Sequence, residues 1–317
     1  MQPDFEGIIE LLRNQDHPIS PSHLASLSDL DRPQTERLRS IWDQLPIERR
    51  RNLIRELGKL ADDHFEYSFE RINRFAIHDP DAQVRCQAIG NLWECEDPKL
   101  VPALLAALTD DEPLVQAAAC TALSRFVYLG ELDQIEAQLL RQLEDVLLHA
   151  ATEAPSPEVR LRSLEALGYS SRQEVAPLLL QAYESSDEDL QLSALLAMGR
   201  SANKKWKPQV YAELRNPSPA LRAQAAWSAG ELELQETVPE LVDLLGDVND
   251  RVRRAATWAL GQVGGKQAKQ ALSELLENTE DGEESAWIDD ALDHLAFVDN
   301  TRDFVILDFD EPEDPSI

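Results

Sequence analysis

The apolar residues of this chain recur at the spacing of an amphipathic α-helix, and the helical pattern is itself repeated. Val252, Ala256 and Leu260 are four residues apart, which places them on one face of a helix. The same pattern returns every 31 residues in two runs, with reference positions at Arg85 and Gln116 and then at Arg160, Gln191, Arg222 and Arg253. A repeat of this length predicts a stack of similar helical units without one central core.

Each repeat is predicted to be a pair of helices, with the reference residue near the start of the second helix. Four residues earlier, five of the six copies carry a side chain that can cap a helix, namely Asp81, Ser156, Asp187, Ser218 and Asn249. Three residues after the reference, every side chain is small: Ala88, Ala119, Ser163, Ala194, Ala225 and Ala256. Small residues let neighbouring helices approach closely, so this column predicts the seam between units. Glycines eight positions after the reference, at 168, 199, 230 and 261, indicate the end of the second helix.

The ends of the array and one internal spacing differ from the repeat. Gln116 and Arg160 are 44 residues apart, which predicts an extra helix inserted near 129–143. Helices expected at 5–13 and 33–42 form an N-terminal helical cap over residues 1–45. Amphipathic stretches at 45–57 and 65–75 predict a divergent first repeat, so the array is expected to span residues 46–298. The acidic stretch 285–297 is expected to close it as a helix with a polar outer side.

Two of the second helices match a known repeat motif. The run from Asp250 to Gly261, with Val-Arg at its start and Ala-Leu-Gly at its end, resembles the HEAT repeat family, in the short form named after the phycobilisome lyases. Val159-Arg160 followed by Ala166-Leu167-Gly168 is similar. The resemblance covers residues 77–276 and implies an all-α fold, an α-α superhelix that is a right-handed solenoid of helix-turn-helix repeats. Gln116 and Gln191 replace the family's arginine, so we expect any ladder of Asp–Arg pairs to be interrupted there.

The charge of the chain limits the partners that it can bind. Thirty basic and 59 acidic side chains give a net charge of −29, which repels nucleic acid and anionic membranes. The first residues lack the character of an export signal, and no later apolar run is long enough to cross a bilayer. We therefore expect a cytoplasmic monomer whose partner is another protein. Cys86, Cys95 and Cys120 lack a paired metal spacing and are expected to be reduced, as small core or half-exposed residues.

Residue types that carry out catalysis are scattered along the chain. The six histidines include no pair with a zinc-binding spacing, and no serine stands in a nucleophile elbow. The stretch Gly261–Gln267 superficially resembles a phosphate-binding loop, but Gln267 stands where Ser or Thr should hold the metal, so we interpret it as a tight turn. The many carboxylates are expected at solvent-facing positions. We expect no catalytic residue, no cofactor and no metal.

The face of the second helix opposite its core stripe is the candidate binding surface. At about 100° per residue, the positions one and five after the reference point away from the buried face, and in a HEAT stack that direction is the concave side. The candidate partner-binding strip consists of Leu161, Leu192, Leu196, Ala223, Trp227, Arg254 and Trp258. Aromatic anchors beside aliphatic residues are typical of interface hot spots. The alternative is that Trp227 and Trp258 wedge between adjacent helices and are buried.

Two charged regions each allow two interpretations. The basic run Arg49, Arg50, Arg51 and Arg55 either docks an acidic partner or the chain's own tail, or forms a solvated helix face. The acidic C-terminal tail, residues 299–317, contains a candidate binding motif formed by Phe304, Ile306, Leu307 and Phe309. These apolar residues either cover the end of the last repeat, with the remainder disordered, or form a short linear motif that another protein captures.

The sequence favours a non-catalytic scaffold or adaptor that binds another protein on the concave face of the solenoid. The resemblance implies an alternative, a bilin lyase-like or chromophore-handling auxiliary role, which would be revealed by a shifted absorbance band on mixing with a bilin. A third alternative is the DNA binding and repair carried out by some HEAT-like proteins. That role requires a basic concave face, whereas the candidate strip carries a single arginine.

Overall fold

The regular structure of the chain is helical. The structure, a computed structural model, describes residues 5–14 and 19–307, with side chains described up to Val298. These ranges contain eighteen α-helices, four short 3-10 turns and no strand. The chain divides into two compact units, Met1–Ala166 and Leu167–Ile317, and the division falls inside the predicted array 46–298. The predicted all-α fold of stacked helix pairs is confirmed.

The described part of the N-terminal unit contains ten α-helices. They are α1 (Phe5–Arg13), α2 (Pro21–Ala25), α3 (Arg32–Trp42), α4 (Ile47–Asp63), α5 (Glu70–Ala76), α6 (Ala82–Gly90), α7 (Val101–Ala107), α8 (Pro113–Glu131), α9 (Ala137–Glu153) and α10 (Pro157–Ala166). A 3-10 turn, Pro98–Leu100, leads into α7. The second helices of the repeats are α6, α8 and α10, and each packs directly against the next in this order.

The described part of the C-terminal unit contains the other eight. They are α11 (Val175–Tyr183), α12 (Glu188–Arg200), α13 (Lys207–Glu213), α14 (Pro219–Glu231), α15 (Val238–Leu244), α16 (Asp250–Val263), α17 (Lys266–Asn278) and α18 (Gly282–Leu307). The 3-10 turns Leu167–Tyr169, Lys204–Trp206 and Gln235–Thr237 lie between them. Here the second helices α12, α14, α16 and α18 pack in succession.

The predicted seam of small residues forms the centre of each stack. All six members of the column, from Ala88 to Ala256, are completely buried. The predicted caps are present at Asp81, Asp187 and Asn249, whose side chains accept hydrogen bonds from amides in the first turns of α6, α12 and α16. The prediction is wrong for Ser218, because its hydroxyl lies 2.8 Å from a carboxylate oxygen of Glu188 and donates to it instead.

The repeated glycines do not end the second helices, as the sequence suggested, but let successive helices touch. Gly199, Gly230 and Gly261 lie inside α12, α14 and α16, and Gly168 lies in the turn that follows α10. A Cβ atom built on Gly168 would lie 2.7 Å from the Cα atom of Ala197, and one built on Gly261 would lie 2.9 Å from a backbone oxygen of Ala291. No side chain fits at these positions, since the space is filled by the backbone of the next second helix.

The reference arginines link each repeat to the turn before its helix and to the next repeat. Arg222 donates to the carbonyl oxygens of Asn216 and Pro217 at 2.8 and 3.0 Å, and to both carboxylate oxygens of Asp247 at 2.8 and 3.0 Å. Arg85 makes the same arrangement with the carbonyl oxygens of 79 and 80 and with Asp110. We call this arrangement the arginine clamp.

The clamp is interrupted where the sequence carries glutamine. Gln116 donates to the carbonyl oxygen of Asp110, and Gln191 donates to that of Tyr183. Neither side chain forms a bond with an acid of the described chain, because the shorter amide reaches the local turn but not the next repeat. The predicted interruption of the Asp–Arg ladder is therefore confirmed.

The predicted insertion near 129–143 is not an extra helix. In the structure α8 continues to Glu131 and α9 has 17 residues, whereas the corresponding helices α14 and α15 have 13 and 7. The additional chain therefore lengthens the two helices of an ordinary pair. Gly130 makes room for this pair, since a Cβ atom there would lie 2.6 Å from the Leu140 side chain.

The basic run on α4 is neither a docking site nor a solvated face. Arg49 donates to the carbonyl oxygens of Leu11 and Asn14 at the end of α1, where the helix leaves carbonyl groups without helical partners. Arg50 is buried and lies 3.0 Å from Asp79, which also accepts a hydrogen bond from the Trp42 indole. Arg51 binds Asp81, the cap of α6, at 2.9 and 2.6 Å. Arg55 alone is largely solvated, and its contacts are with neighbours on its own helix.

The predicted termini differ from the structure in two details. The helix expected at 65–75 begins only at Glu70, and Phe65 lies in a turn with its side chain 99% exposed. At the other end α18 runs to Leu307, past the expected boundary at 298, and its backbone includes residues 304, 306 and 307 of the candidate tail motif. Phe309, the fourth residue of that motif, lies outside the described residues.

Candidate functional site

The two tryptophans of the candidate strip lie side by side on neighbouring second helices. Trp227 lies on α14 and Trp258 on α16, with ring centroids 3.9 Å apart and ring planes inclined by 40°. Gly230 provides space for this pair, because a Cβ atom there would lie 2.5 Å from the Trp258 ring. Trp258 is half-buried against α14, whereas Trp227 is 39% exposed. The wedge interpretation thus describes part of Trp258, and the exposed surface belongs mainly to Trp227.

Arg254, one turn before Trp258, is held in a fixed position at the edge of this pair. Its guanidinium carbon lies 3.3 Å from the centroid of the Trp287 ring on α18, which is a cation–π contact. Its Nη2 atom lies 3.2 Å from a carboxylate oxygen of Glu283 at the start of α18. Arg254 therefore extends the aromatic surface from two helices to three.

A groove of about 410 Å³ lies between these side chains, wholly within the C-terminal unit. It is lined by Trp227, Arg254, Thr257, Trp258, Gln262, Trp287, Asp290, Ala291 and His294. We call it the tryptophan groove. Its size is in the range of about 300–1,000 Å³ that is usual for binding sites.

Only part of the predicted strip lines the tryptophan groove. Trp227, Arg254 and Trp258 line it, while Leu192, Leu196 and Ala223 are half-buried on α12 and α14 outside its lining. Leu161 is half-buried on α10 and belongs to the N-terminal unit.

Sequence reasoning missed the contribution of α18, which supplies Trp287, Asp290 and His294 to the groove. The 31-residue register fails there, because Gly261 meets Ala291 whereas Gly230 meets Ala259, one residue closer along the chain. The one available signal was a third tryptophan in the helix after Trp258.

Buried carboxylates depart from the expectation that acids face solvent. Glu144, Glu165 and Glu240 are buried, and Glu240 accepts hydrogen bonds from Tyr211 and Arg215. The hydrogen bond to Glu240, together with burial, raises the pKa of Tyr211 above its usual value. Tyr183 and Glu213 form a similar pair, with the phenol oxygen 2.6 Å from the carboxylate. These pairs join the first helices of neighbouring repeats and are structural contacts.

The remaining features bear on metal, thiol and membrane chemistry. Among the described residues, no group of three or more His, Cys, Asp or Glu side chains is arranged to hold a metal ion. Cys86 and Cys95 are half-buried and Cys120 is buried, as predicted, and burial raises the pKa of Cys120 to about 11. Gly264 and Gly265 form the tight turn that joins α16 to α17. Across the described ranges, no helix combines the length and the apolar character needed to span a bilayer.

Comparison with known proteins gives a family match and several solved structures of similar fold. A family model described as HEAT repeats matches residues 74–154, 144–215 and 208–293. No curated protein matches the chain. Solved structures that match include the complex of CpcE and CpcF of phycocyanin lyase from Nostoc sp. PCC7120, with 19% identity, a TM-score of 0.48, and 71% of this chain and 94% of that chain covered.

Two further solved structures are similar at the same level. YibA of Escherichia coli has 16% identity and a TM-score of 0.42, with 77% of this chain and 96% of that chain covered. Human deoxyhypusine hydroxylase has 17% identity and a TM-score of 0.37, with 83% and 97% covered. Likeness at this level describes the helical architecture alone.

Proposed function

The chain belongs to the HEAT repeat family, and on that premise we propose that it is a non-catalytic scaffold that holds another protein. Because this fold hosts many unrelated roles, the proposal rests on one surface of the molecule and not on the fold. The observation that carries it is the contact between Trp227 and Trp258 at 3.9 Å, left partly open to solvent beside Arg254.

The composition of the tryptophan groove supports a protein partner. Tryptophan and arginine are the residues most enriched at the energetic centres of protein interfaces. Arg254 is already held by Trp287 and Glu283, so that a partner would lose little free energy in ordering its side chain. The net charge of −29 disfavours nucleic acid and anionic lipid as alternatives.

The remaining residues of the candidate strip extend the proposed surface. Leu192, Leu196 and Ala223 lie on α12 and α14 and are half-buried, which leaves part of each side chain available for contact. We propose that they flank the bound partner, with the tryptophan groove as its anchoring point. For Leu161, in the other unit, a binding role stays a prediction from the sequence alone.

The test is site-specific cross-linking followed by substitution. A photo-activatable side chain at position 227 of the full chain should cross-link a partner protein in the native extract, whereas the same group at Leu180, which is exposed on α11, should not. Trp227→Ala should weaken capture of that protein about tenfold or more, as expected for a hot-spot tryptophan. Leu180→Ala is the matched control and should capture the protein normally.

Two results would contradict the proposal. One is a Trp227→Ala variant that captures the cross-linked protein as well as the unmodified chain does. The other is an equal loss of capture and of melting temperature, which would make Trp227 a structural residue. A shifted absorbance band on mixing the chain with a bilin would instead favour the chromophore-handling role.

A further inference from the structure

The N-terminal unit contains a second groove, formed by two turns between helices. One turn joins α4 to α5 and carries Phe65 and Tyr67, and the other follows α6 and carries Trp93 and Glu94. The groove has a volume of about 340 Å³. Phe65 is 99% exposed and Trp93 is 60% exposed, and both leave a large apolar area in water. Large aromatic residues at such exposure mark interaction surfaces.

The charges around this groove are all of one sign. Asp62, Glu70 and Glu94 line it, and none of the described residues that line it is basic. Glu70 is paired with Arg74 at 2.6 Å. Asp62 and Glu94 form no hydrogen bond or ion pair within the described part of the chain, so their charges are available to a ligand.

Helix ends add to the negative potential. The C-terminal turn of α4 and the C-terminal end of α6 both border the groove, and neither helix carries a basic residue in its last turn. Carbonyl groups at a helix C-terminus favour a cation. The aromatic faces of Phe65, Tyr67 and Trp93 attract a cation as well, through the electrostatics of the ring.

We propose that this aromatic and acidic groove binds a basic segment of a partner protein, with an arginine or lysine side chain held between the aromatic rings and the free carboxylates. Charge complementarity decides the occupant, because three carboxylates and two helix C-termini surround the groove without a lining cation among the described residues. A protein segment is favoured over a small free cation because Phe65 projects almost completely into solvent and can contact apolar residues that flank the basic one. The proposal does not depend on the tryptophan groove.

The experiment measures fluorescence polarisation of labelled synthetic peptides with the full chain. The probe is a peptide of alternating arginine and leucine, compared with a peptide in which glutamine replaces arginine. The arginine peptide should bind and should bind more weakly at high salt, whereas the glutamine peptide should bind at least about tenfold more weakly. Phe65→Ser should weaken binding about fivefold, and the double variant Asp62→Lys with Glu94→Lys should weaken it about thirtyfold.

Matched controls separate the groove from the general acidity of the chain. Val248→Ser removes an apolar side chain that is 95% exposed in the other unit and should leave binding unchanged. Glu153→Lys makes the same charge reversal at an exposed position of α9 and should weaken binding less than about twofold. Trp227→Ala should also leave it unchanged, which separates this proposal from the proposed function.

Three outcomes would overturn the proposal. The first is equal binding of the arginine and glutamine peptides. The second is an equal loss for Glu153→Lys and for the single variant Glu94→Lys, which would indicate non-specific attraction. The third is groove-dependent binding of spermidine as tight as that of the peptide, which would assign the groove to a small polyamine.

Discussion

The guanidinium group of Arg222 binds both carboxylate oxygens of Asp247, 25 residues along the chain, while it also holds the turn before its own helix. One side chain therefore joins three segments, namely α14, the turn before it and the turn before α16. The side chains of Arg222 and Asp247 are only 14% and 10% exposed, so solvent competes little for these hydrogen bonds.

Loss of this clamp should destabilise the C-terminal unit. We expect Arg222→Met to lower the free energy of unfolding by about 2–3 kcal/mol, because it removes several hydrogen bonds and leaves the Asp247 carboxylate partly buried without its cation. Urea denaturation followed by circular dichroism measures the change. Arg251→Met on α16 is the control, because Arg251 is exposed and its side chain makes no described contact. Equal losses in the two variants would show that the clamp contributes nothing specific.

The interrupted clamp at Gln191 should be repairable. Asn216 occupies the position that corresponds to Asp247, 25 residues after Gln191. The double variant Gln191→Arg with Asn216→Asp should raise the free energy of unfolding by about 1 kcal/mol, through a new buried pair of the type seen at Arg222. Each single variant should be neutral or destabilising. A thermodynamic cycle of the four proteins measures the coupling, and a value of zero would mean that the local turn does not accept the arginine.

Stability should fall in acid because of the same carboxylates. The hydrogen bond from Arg222 holds the pKa of Asp247 below its usual value, and the hydrogen bond from Arg51 does the same for the pKa of Asp81. A pKa that is depressed in the folded state stabilises the protein above the unfolded pKa of about 3.9, and the contribution disappears as the pH falls through the folded value.

Urea denaturation between neutral pH and pH values below about 4 tests this expectation. The unfolding free energy should decrease over that interval, and the decrease should be smaller for Asp247→Asn, which has no charge to lose. An Asp247→Asn protein with the same acid dependence as the unmodified chain would show that other groups control the transition.

The seam glycines should not tolerate a methyl group. Gly168→Ala places a Cβ atom 2.7 Å from the Cα and 2.8 Å from the carbonyl oxygen of Ala197, so that the helices must move apart at a cost of about 1–3 kcal/mol. Gly90→Ala is the matched control, since no atom lies within 4 Å of the position that its methyl group would occupy, and alanine favours a helix. Thermal unfolding should show a lower melting temperature for the first variant and an unchanged or higher one for the second. The opposite order would exclude a tight seam at Gly168.

The sequence predicts the helices and the seam well because both depend on short-range periodicity. The buried column from Ala88 to Ala256 follows from spacing alone, as do the caps at Asp81, Asp187 and Asn249. The interruption of the clamp at Gln116 and Gln191 follows from side-chain length and the absence of a positive charge. These features repeat, so each copy supports the interpretation of the others.

Features that depend on contacts between distant segments were not predictable. Arg49 and Arg50 look solvated along the sequence of α4, but one binds the end of α1 and the other lies beside Asp79. The groove of Phe65 and Trp93 is formed by two turns 28 residues apart, and neither turn follows the repeat. The tryptophan groove was predicted in part, through Trp227, Arg254 and Trp258, and its α18 side was missed because the register changes there.

The glycine seam also restricts how such a chain can change length. Each glycine meets the following second helix at a position 29 or 30 residues later, and the glycines themselves recur every 31 residues. Duplication or loss of one whole repeat would therefore leave every matching surface intact. A gain or loss of any other length would direct a side chain at a neighbouring backbone. Genetic growth of the array is thus limited to steps of one complete unit.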